Sequence, residues 1–173
     1  MAVYKETIEV KSHGGTPTYI NITPQVRAAI EKSGIQEGIC AVISPHTTCA
    51  VFFEEFVHDY NEDGDEFLQE DLNHVLEKII PDQNSEGIYK YPGQAHYDAV
   101  ASWPDAASYL PDGDPKALWN GDAHLKATIV GSSEVLDVTG GKLGVGTTGY
   151  VYFVDFDRTR ERTRKCKITV IGE

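Results

Sequence analysis

Two short apolar runs joined by a polar, reactive hinge constrain the fold of this chain more than any other feature. Gly38 to Ile43 reads Gly-Ile-Cys-Ala-Val-Ile, and Ala50 to Phe53 reads Ala-Val-Phe-Phe. Each has the length of a buried strand. Between them lie Ser44, Pro45, His46, Thr47 and Thr48, and Glu54 and Glu55 close the second run. The spacing predicts buried strands that present an imidazole at one end and a carboxylate at the other. Such groups on rigid elements suit metal binding or proton transfer. The same residues read equally well as a turn at His46 and a Glu pair that opens a solvated helix.

The flanking sequence sets these runs in a mixed α+β pattern. Tyr4, Ile8 and Val10 share one face of an alternating run, which predicts a strand over about residues 3–11. Residues 17–22 read as a second strand. Thr23-Pro24 is a helix start, a hydroxyl N-cap with Pro at the first helical position. Val26, Ala29 and Ile30 give that helix an apolar stripe, and Gly34 ends it. Leu68, Leu72, Val75, Leu76 and Ile79 recur at helical spacing and predict a helix over 65–80, stopped by Pro81. Asp71 and His74 lie three apart on it, an arrangement that is most often solvent-facing. Asp63-Gly64-Asp65 hints at calcium, but the twelve-residue EF-hand pattern is absent.

Residues 82–118 read as a loop rich in Pro, Gly, Asp and Tyr. Tyr89, Tyr91, Tyr97 and Tyr109 suit an aromatic flap over a pocket, and a surface insertion is the alternative. Asn120 is placed as the N-cap of a helix containing Ala123, Ala127 and Val130. His124 falls in its first turns, near the positive end of the dipole. Val135 to Val138 reads as a strand, and residues 139–142 as a hairpin turn. In the glycine-rich run from Leu143 to Val154, Gly146-Thr147 offers backbone and hydroxyl donors suited to phosphate. No P-loop follows. Arg160 and Arg162 suit bidentate phosphate binding, although local sequence favours ion pairing with an acidic surface. Residues 165–171 alternate as a closing strand.

Composition narrows the partners. The 173 residues suffice for one domain with a sizeable core. The net charge of −12 argues against nucleic acid or an anionic membrane as partner, because both reward a basic face. It leaves room for a small anionic substrate in a local basic pocket. No apolar run approaches the roughly 20 residues that span a bilayer, and the first residues lack a signal-peptide pattern. Cys40, Cys49 and Cys166 are odd in number and read as reduced core residues of a cytoplasmic protein.

Four stretches carry a resemblance. His46-Thr47-Thr48-Cys49-Ala50 through Glu55 resembles the His-Thr-Thr-Ala-Ala-…-Asn-Glu signature of the YjbQ (UPF0047) family, sometimes labelled secondary thiamine-phosphate synthase. Asn120-Gly121-Asp122-Ala123-His124-Leu125-Lys126-Ala127 resembles its Asn-Ala-x-Ala-His-Leu-Lys-Ala, departing at Gly121. Gly141, Gly146 and Thr147 fit Gly-x-x-x-x-Gly-Thr-Trp-Gln, with Thr148 and Gly149 in place of Trp and Gln. Residues 155–162 match Glu-Phe-Asp-Gly-Pro-Arg-x-Arg at Phe156, Asp157, Arg160 and Arg162. Asp71-Leu72 also matches an Asp-Leu of the family.

The resemblance implies one α+β domain over residues 1–173, mostly antiparallel sheet or sandwich with a few packed helices. It further implies assembly as a homotrimer and a loop-rich insertion at about 82–118. It implies His46, Glu55, His124 and Asp71 as catalytic residues. Thr47, Thr48, Asn120, Gly146, Thr147, Arg160 and Arg162 would bind a small phosphorylated substrate. A divalent metal, zinc first, would sit on His46, His124 and Glu55, with His96 as a further ligand. No organic cofactor is expected. The implied activity couples a hydroxymethylpyrimidine diphosphate to a thiazole phosphate. Strict alternation from His46 would choose Glu54, and motif alignment chooses Glu55. Two other classes stay open. One is a metal-dependent hydrolase with Glu55 or Asp71 as base. The other is a non-catalytic protein that binds a phosphorylated ligand, which the replaced Trp-Gln pair supports.

Overall fold

The computed structural model describes residues 1–173. Eight strands form two antiparallel sheets. The larger contains β1 (Ala2–Ser12), β8 (Arg162–Gly172), β3 (Glu37–Ile43), β5 (Ser133–Thr139) and β6 (Lys142–Leu143), in that order. The smaller has β7 (Gly149–Asp155) between β2 (Thr18–Asn21) and β4 (Cys49–Glu55). Every strand pair is antiparallel. With five helices this is the α+β, largely antiparallel architecture expected from the sequence.

The two sheets enclose the main core. Val10, Cys40, Val42 and Ile168 from the larger meet Val51 and Phe153 from the smaller, and Val26 and Ile30 of α1 (Thr23–Ser33) join them. The larger sheet is covered on one face only, so β1 and β8 alternate buried and exposed residues. The smaller sheet is covered on both. Its second face carries Ala50, Phe52, Tyr152, Val154 and Phe156 against Leu76 of α2 (Phe67–Ile79) and Ala123 and Ala127 of α5 (Gly121–Val130). Double burial explains why Cys49 to Phe52 is apolar without alternation.

Local details differ from the sequence reading. Thr23 does not cap α1. It is the first helical residue, and its hydroxyl is exchanged with the β7 backbone, accepting from Val151 N–H at 2.8 Å. The Asn21 side chain accepts from Thr23 N–H at 3.1 Å instead. Gly34 ends α1 with a φ of 69°, a left-handed conformation that glycine adopts at low cost. Glu66 and Gln69 form a reciprocal capping box at the start of α2, two residues inside the expected boundary. Residues 82–118 are not a plain loop. They contain α3 (Gln94–Ala101), the one-turn α4 (Ala106–Tyr109) and two 3₁₀ turns.

Candidate functional site

The β4–β7 ladder pairs Cys49 with Asp155 at one end and Glu55 with Gly149 at the other. The site forms at the Cys49–Asp155 end. There the 44–48 hinge, the turn from β7 into β8, the start of α5 and the 91–118 segment surround a cavity of about 650 Å³.

The hinge is fixed by its own polar groups. Ser44 Oγ accepts from His46 N–H at 3.2 Å, and His46 C=O accepts from Cys49 N–H at 3.3 Å. His46 Nε2 then accepts from the Lys165 backbone N–H of β8 at 2.8 Å. That bond places the proton of a neutral His46 on Nδ1. Burial, aided by the nearby Arg164 charge, holds His46 below its ordinary pKa. Thr48 is buried, and its hydroxyl accepts from Arg164 Nη2 at 3.0 Å.

Arginines 158, 160, 162 and 164 recur at every second residue. Their partners separate them. Arg164 grips the buried Asp155 bidentately, Nε at 2.7 Å and Nη2 at 3.1 Å. Arg162 pairs with the buried Asp157. Asp157 also accepts from Thr159 N–H at 3.0 Å, Thr159 Oγ1 at 2.6 Å and Asn120 Nδ2 at 2.8 Å. Burial alone would raise the Asp157 pKa, but Arg162 and these bonds outweigh it and hold the carboxyl below the usual range. Arg158 turns away to Asp82 and Asp122, which it shares with the fully buried Lys126. Arg160 has no carboxylate partner; it donates to the carbonyls of Ser108 and Tyr109. Burial, followed by repulsion from Arg162, lowers its pKa.

The opposite wall is aromatic. Tyr91 meets the His124 ring edge-on with centroids 5.3 Å apart, and its hydroxyl lies 3.2 Å from His96 Nε2. Trp103 and Tyr109 pair edge-to-face at 5.0 Å. Trp103 is 42% exposed, a large apolar surface left facing an open cavity. Burial holds His124 below its ordinary pKa, although Asp157 and the Thr47 carbonyl favour its charged form.

The structure therefore brings together His46, Thr47, Thr48, His96, Asn120, His124, Arg160 and Arg162. It separates Glu55, Gly146, Thr147 and Asp71 from them. Glu55 is exposed at the far end of β4, six strand steps or about 20 Å from Cys49. Gly146 and Thr147 are exposed in the turn at that same end. Asp71 is exposed on α2. Glu54 does not reach the cavity either. It shares the Ala50–Phe52 face and lies near Glu66, and burial, then the Glu66 charge, raises its pKa.

The expected metal ligands do not converge. Glu55 is remote and the His46 Nε2 lone pair is committed to Lys165 N–H. No three His, Cys, Asp or Glu side chains are arranged to hold an ion. The donor set does not fit a resident zinc, and no step is derived through one. Asn120 sits at the N-cap position of α5, but its side chain serves Asp157 rather than the helix.

Tyr91 and Tyr109 belong to the aromatic flap expected over a pocket, whereas Asp155, Asp157, Arg164 and Trp103 are site residues that the sequence reading does not single out. The Arg-x-Arg-x-Arg alternation was a usable signal for Arg164, since a strand puts such residues on one face. Asp155 and Asp157 acquire their role when the turn from β7 folds the arginines of β8 back beside them.

A family model described as UPF0047 protein YjbQ-like matches residues 6–173. A UPF0047 protein of Archaeoglobus fulgidus is 32% identical over 143 residues, covering 83% of this chain and 84% of that protein. A crystal structure of a YbjQ-like protein of unknown function from Sulfolobus solfataricus superposes with a TM-score of 0.69. It is 27% identical and covers 99% of both chains. A Clostridium acetobutylicum structure described as yjbq/upf0047 family gives a TM-score of 0.66 at 27% identity, covering 95% of this chain and 99% of that one.

Proposed function

Because the chain belongs to the YjbQ-like UPF0047 family, we propose that its cavity binds a small phosphorylated substrate and serves a thiamine-phosphate synthase type of transfer. The observation that carries this reading is the convergence of Arg160, Arg162 and Arg164 with three histidines and Thr48 in a protein of net charge −12. A cavity that size accommodates a phosphorylated heterocycle.

In the proposed reaction, the thiazole ring nitrogen attacks the methylene carbon of hydroxymethylpyrimidine diphosphate. A C–N bond forms as the C–O bond breaks, and diphosphate leaves with the bonding pair. No proton moves in that step, so the demand is for positive charge at the leaving group. Arg160, free of carboxylates, and the Nδ1–H of His46 supply donors there. Arg162 and Arg164 arrive partly neutralised by Asp157 and Asp155 and serve to hold the wall. Magnesium carried in on a diphosphate would be held chiefly by phosphate oxygens and water.

The test is incubation with both substrates and magnesium, with thiamine phosphate and released diphosphate as readouts. Formation of both in equal amounts, lost in His124→Ala, is the expected result. Diphosphate release without thiamine phosphate would turn the reading to a hydrolase.

The second reading is binding without turnover. Thr148 and Gly149 stand where the resemblance has Trp and Gln, but they lie at the Glu55 end of the ladder, away from the cavity, so the replacement does not itself remove a group from the site. Tight binding of either substrate with no product would establish that reading.

The proposed assembly is a homotrimer through the outer face of the larger sheet. Ile39, Ala41 and Ile43 adjoin Val135 there, since Ala41 pairs with Val135. Ile39, Ile43 and Val135 are 45%, 36% and 62% exposed, an apolar patch of the kind that marks an interface. The proposed place of action is the cytoplasm, where three buried free thiols persist. No helix is long and apolar enough to cross a membrane.

A further inference from the structure

Residues 94–118 cover the cavity but are almost unattached to the rest of the protein through polar groups. Every backbone hydrogen bond of this segment closes within residues 93–119. Its side-chain bonds are also local, joining Tyr91 to His96, Gln94 to Asp98, the Ser102 hydroxyl to the Ala99 carbonyl, Lys116 N–H to Asp114, and Trp119 to Tyr97. None of the ion pairs reaches it.

The exceptions come from one side chain. Arg160 donates Nη2–H to the Ser108 carbonyl at 2.6 Å and Nη1–H to the Tyr109 carbonyl at 3.3 Å. Both carbonyls end α4, where helical partners run out and partial negative charge collects. Arg160 also lines the cavity and is the one cavity arginine without a carboxylate partner. A guanidinium carries five N–H donors. The two carbonyls occupy two of them, so Nε–H and the second hydrogens of both terminal nitrogens are available to another acceptor.

We infer that Arg160 is the clasp of a lid: it holds a phosphoryl or diphosphoryl group in the cavity and residues 94–118 at the same time, so that ligand binding fastens the segment over the site. Anion and carbonyls are bound by one planar cation, and fixing its position on the anion fixes the carbonyls with it. Trp103 and Tyr109 then close over whatever the phosphate carries. This inference rests on the phosphorylated-ligand reading above.

Both tryptophans of the chain, Trp103 and Trp119, lie in or beside the segment, so intrinsic fluorescence of the unlabelled protein reports on it. The full chain is titrated with inorganic diphosphate and followed by calorimetry, fluorescence and hydrogen exchange. The expected result is saturable binding, a fluorescence change with the same midpoint, and slower exchange confined chiefly to 94–118. Arg160→Met should weaken binding by about tenfold to a hundredfold, the range for losing a hydrogen bond to a charged group. At saturating diphosphate its 94–118 segment should still exchange at the ligand-free rate. Arg160→Lys keeps a point charge without the fork. It should bind within roughly tenfold of wild type and also lack the protection, which covers the case in which the Met variant does not fold.

Calorimetric binding in wild type with no change in 94–118 overturns the lid and leaves the phosphate reading standing. Full protection of 94–118 in either saturated variant overturns the role of Arg160. No binding at millimolar diphosphate overturns the phosphate reading and the lid together.

Discussion

Asp157→Asn tests whether the cation wall is held by one buried carboxylate. Asp157 is 2% exposed and takes Arg162, both Thr159 donors and the Asn120 amide. Asparagine keeps the shape and can still accept from Thr159 or Asn120, so the loss falls mainly on Arg162. Breaking a buried ion pair from one side costs about 3–5 kcal/mol. Arg162 keeps a 3.2 Å bond to Thr159 Oγ1 and its side chain is 15% exposed. The lower end of the range therefore applies, about 3 kcal/mol. For a chain of this length that corresponds to a drop in Tm of roughly 10 °C.

The assay is thermal and urea unfolding followed by circular dichroism at one fixed protein concentration, because self-association would add a concentration term. The pH dependence supplies a second check. Asp157 sits below the ordinary carboxylate value of 3.8 in the folded state. Its contribution is thus complete above that value and is lost as pH falls through the folded pKa. The gap between wild type and variant should be full at pH 5–7 and narrow below about pH 4. A gap under about 1 kcal/mol at pH 7, or one undiminished at pH 3, would refute the assignment of Asp157 as the holder of Arg162. At low temperature, where the variant folds, it should bind diphosphate more tightly than wild type, since a negative charge leaves the wall.

Glu55→Ala and Asp71→Ala should leave diphosphate affinity within about twofold, whereas His124→Ala should weaken it by up to about tenfold, the value of a neutral hydrogen bond; loss of binding in Glu55→Ala would show that the far end of the ladder takes part in the site. Burial holds His46 and His124 below the ordinary 6.5, so the unfolded chain takes up protons that the folded chain does not. Stability should be complete above about pH 6.5 and decline as pH falls through that value. A His46→Gln, His124→Gln double variant with the same decline in Tm between pH 7.5 and 5 would count against this. In native mass spectrometry the wild type should give the mass of the proposed homotrimer and Ile43→Asp combined with Val135→Lys that of a monomer; a trimer mass unchanged in the variant would move the interface elsewhere.

Local chemistry made much of the architecture legible. Gly34, the hairpin at 139–142 and the stripe of α2 depend on residues close in sequence, and each appears near its expected place. The helices within 82–118 escaped notice because α3 buries only Val100 and α4 is a single turn, leaving no stripe to read. The Glu54-or-Glu55 choice could not be settled from β4 itself. A strand covered on both faces shows no alternation, so its pattern does not say which neighbour faces what.

By itself the sequence determined the kinds of elements, the polar hinge at 44–48 and the row of alternating arginines, because strand periodicity, turn chemistry and helix ends act over a few residues. Only the tertiary structure decided how these were used. Antiparallel pairing of β4 with β7 placed His46 and Glu55 at opposite ends of one ladder. The turn from β7 into β8 gave Arg162 to Asp157, Asp82 together with Asp122 of α5 took Arg158, and the 94–118 segment gave Arg160 two carbonyls. Four arginines alike in sequence acquire different roles because a charge takes its partner from whichever element the fold brings beside it.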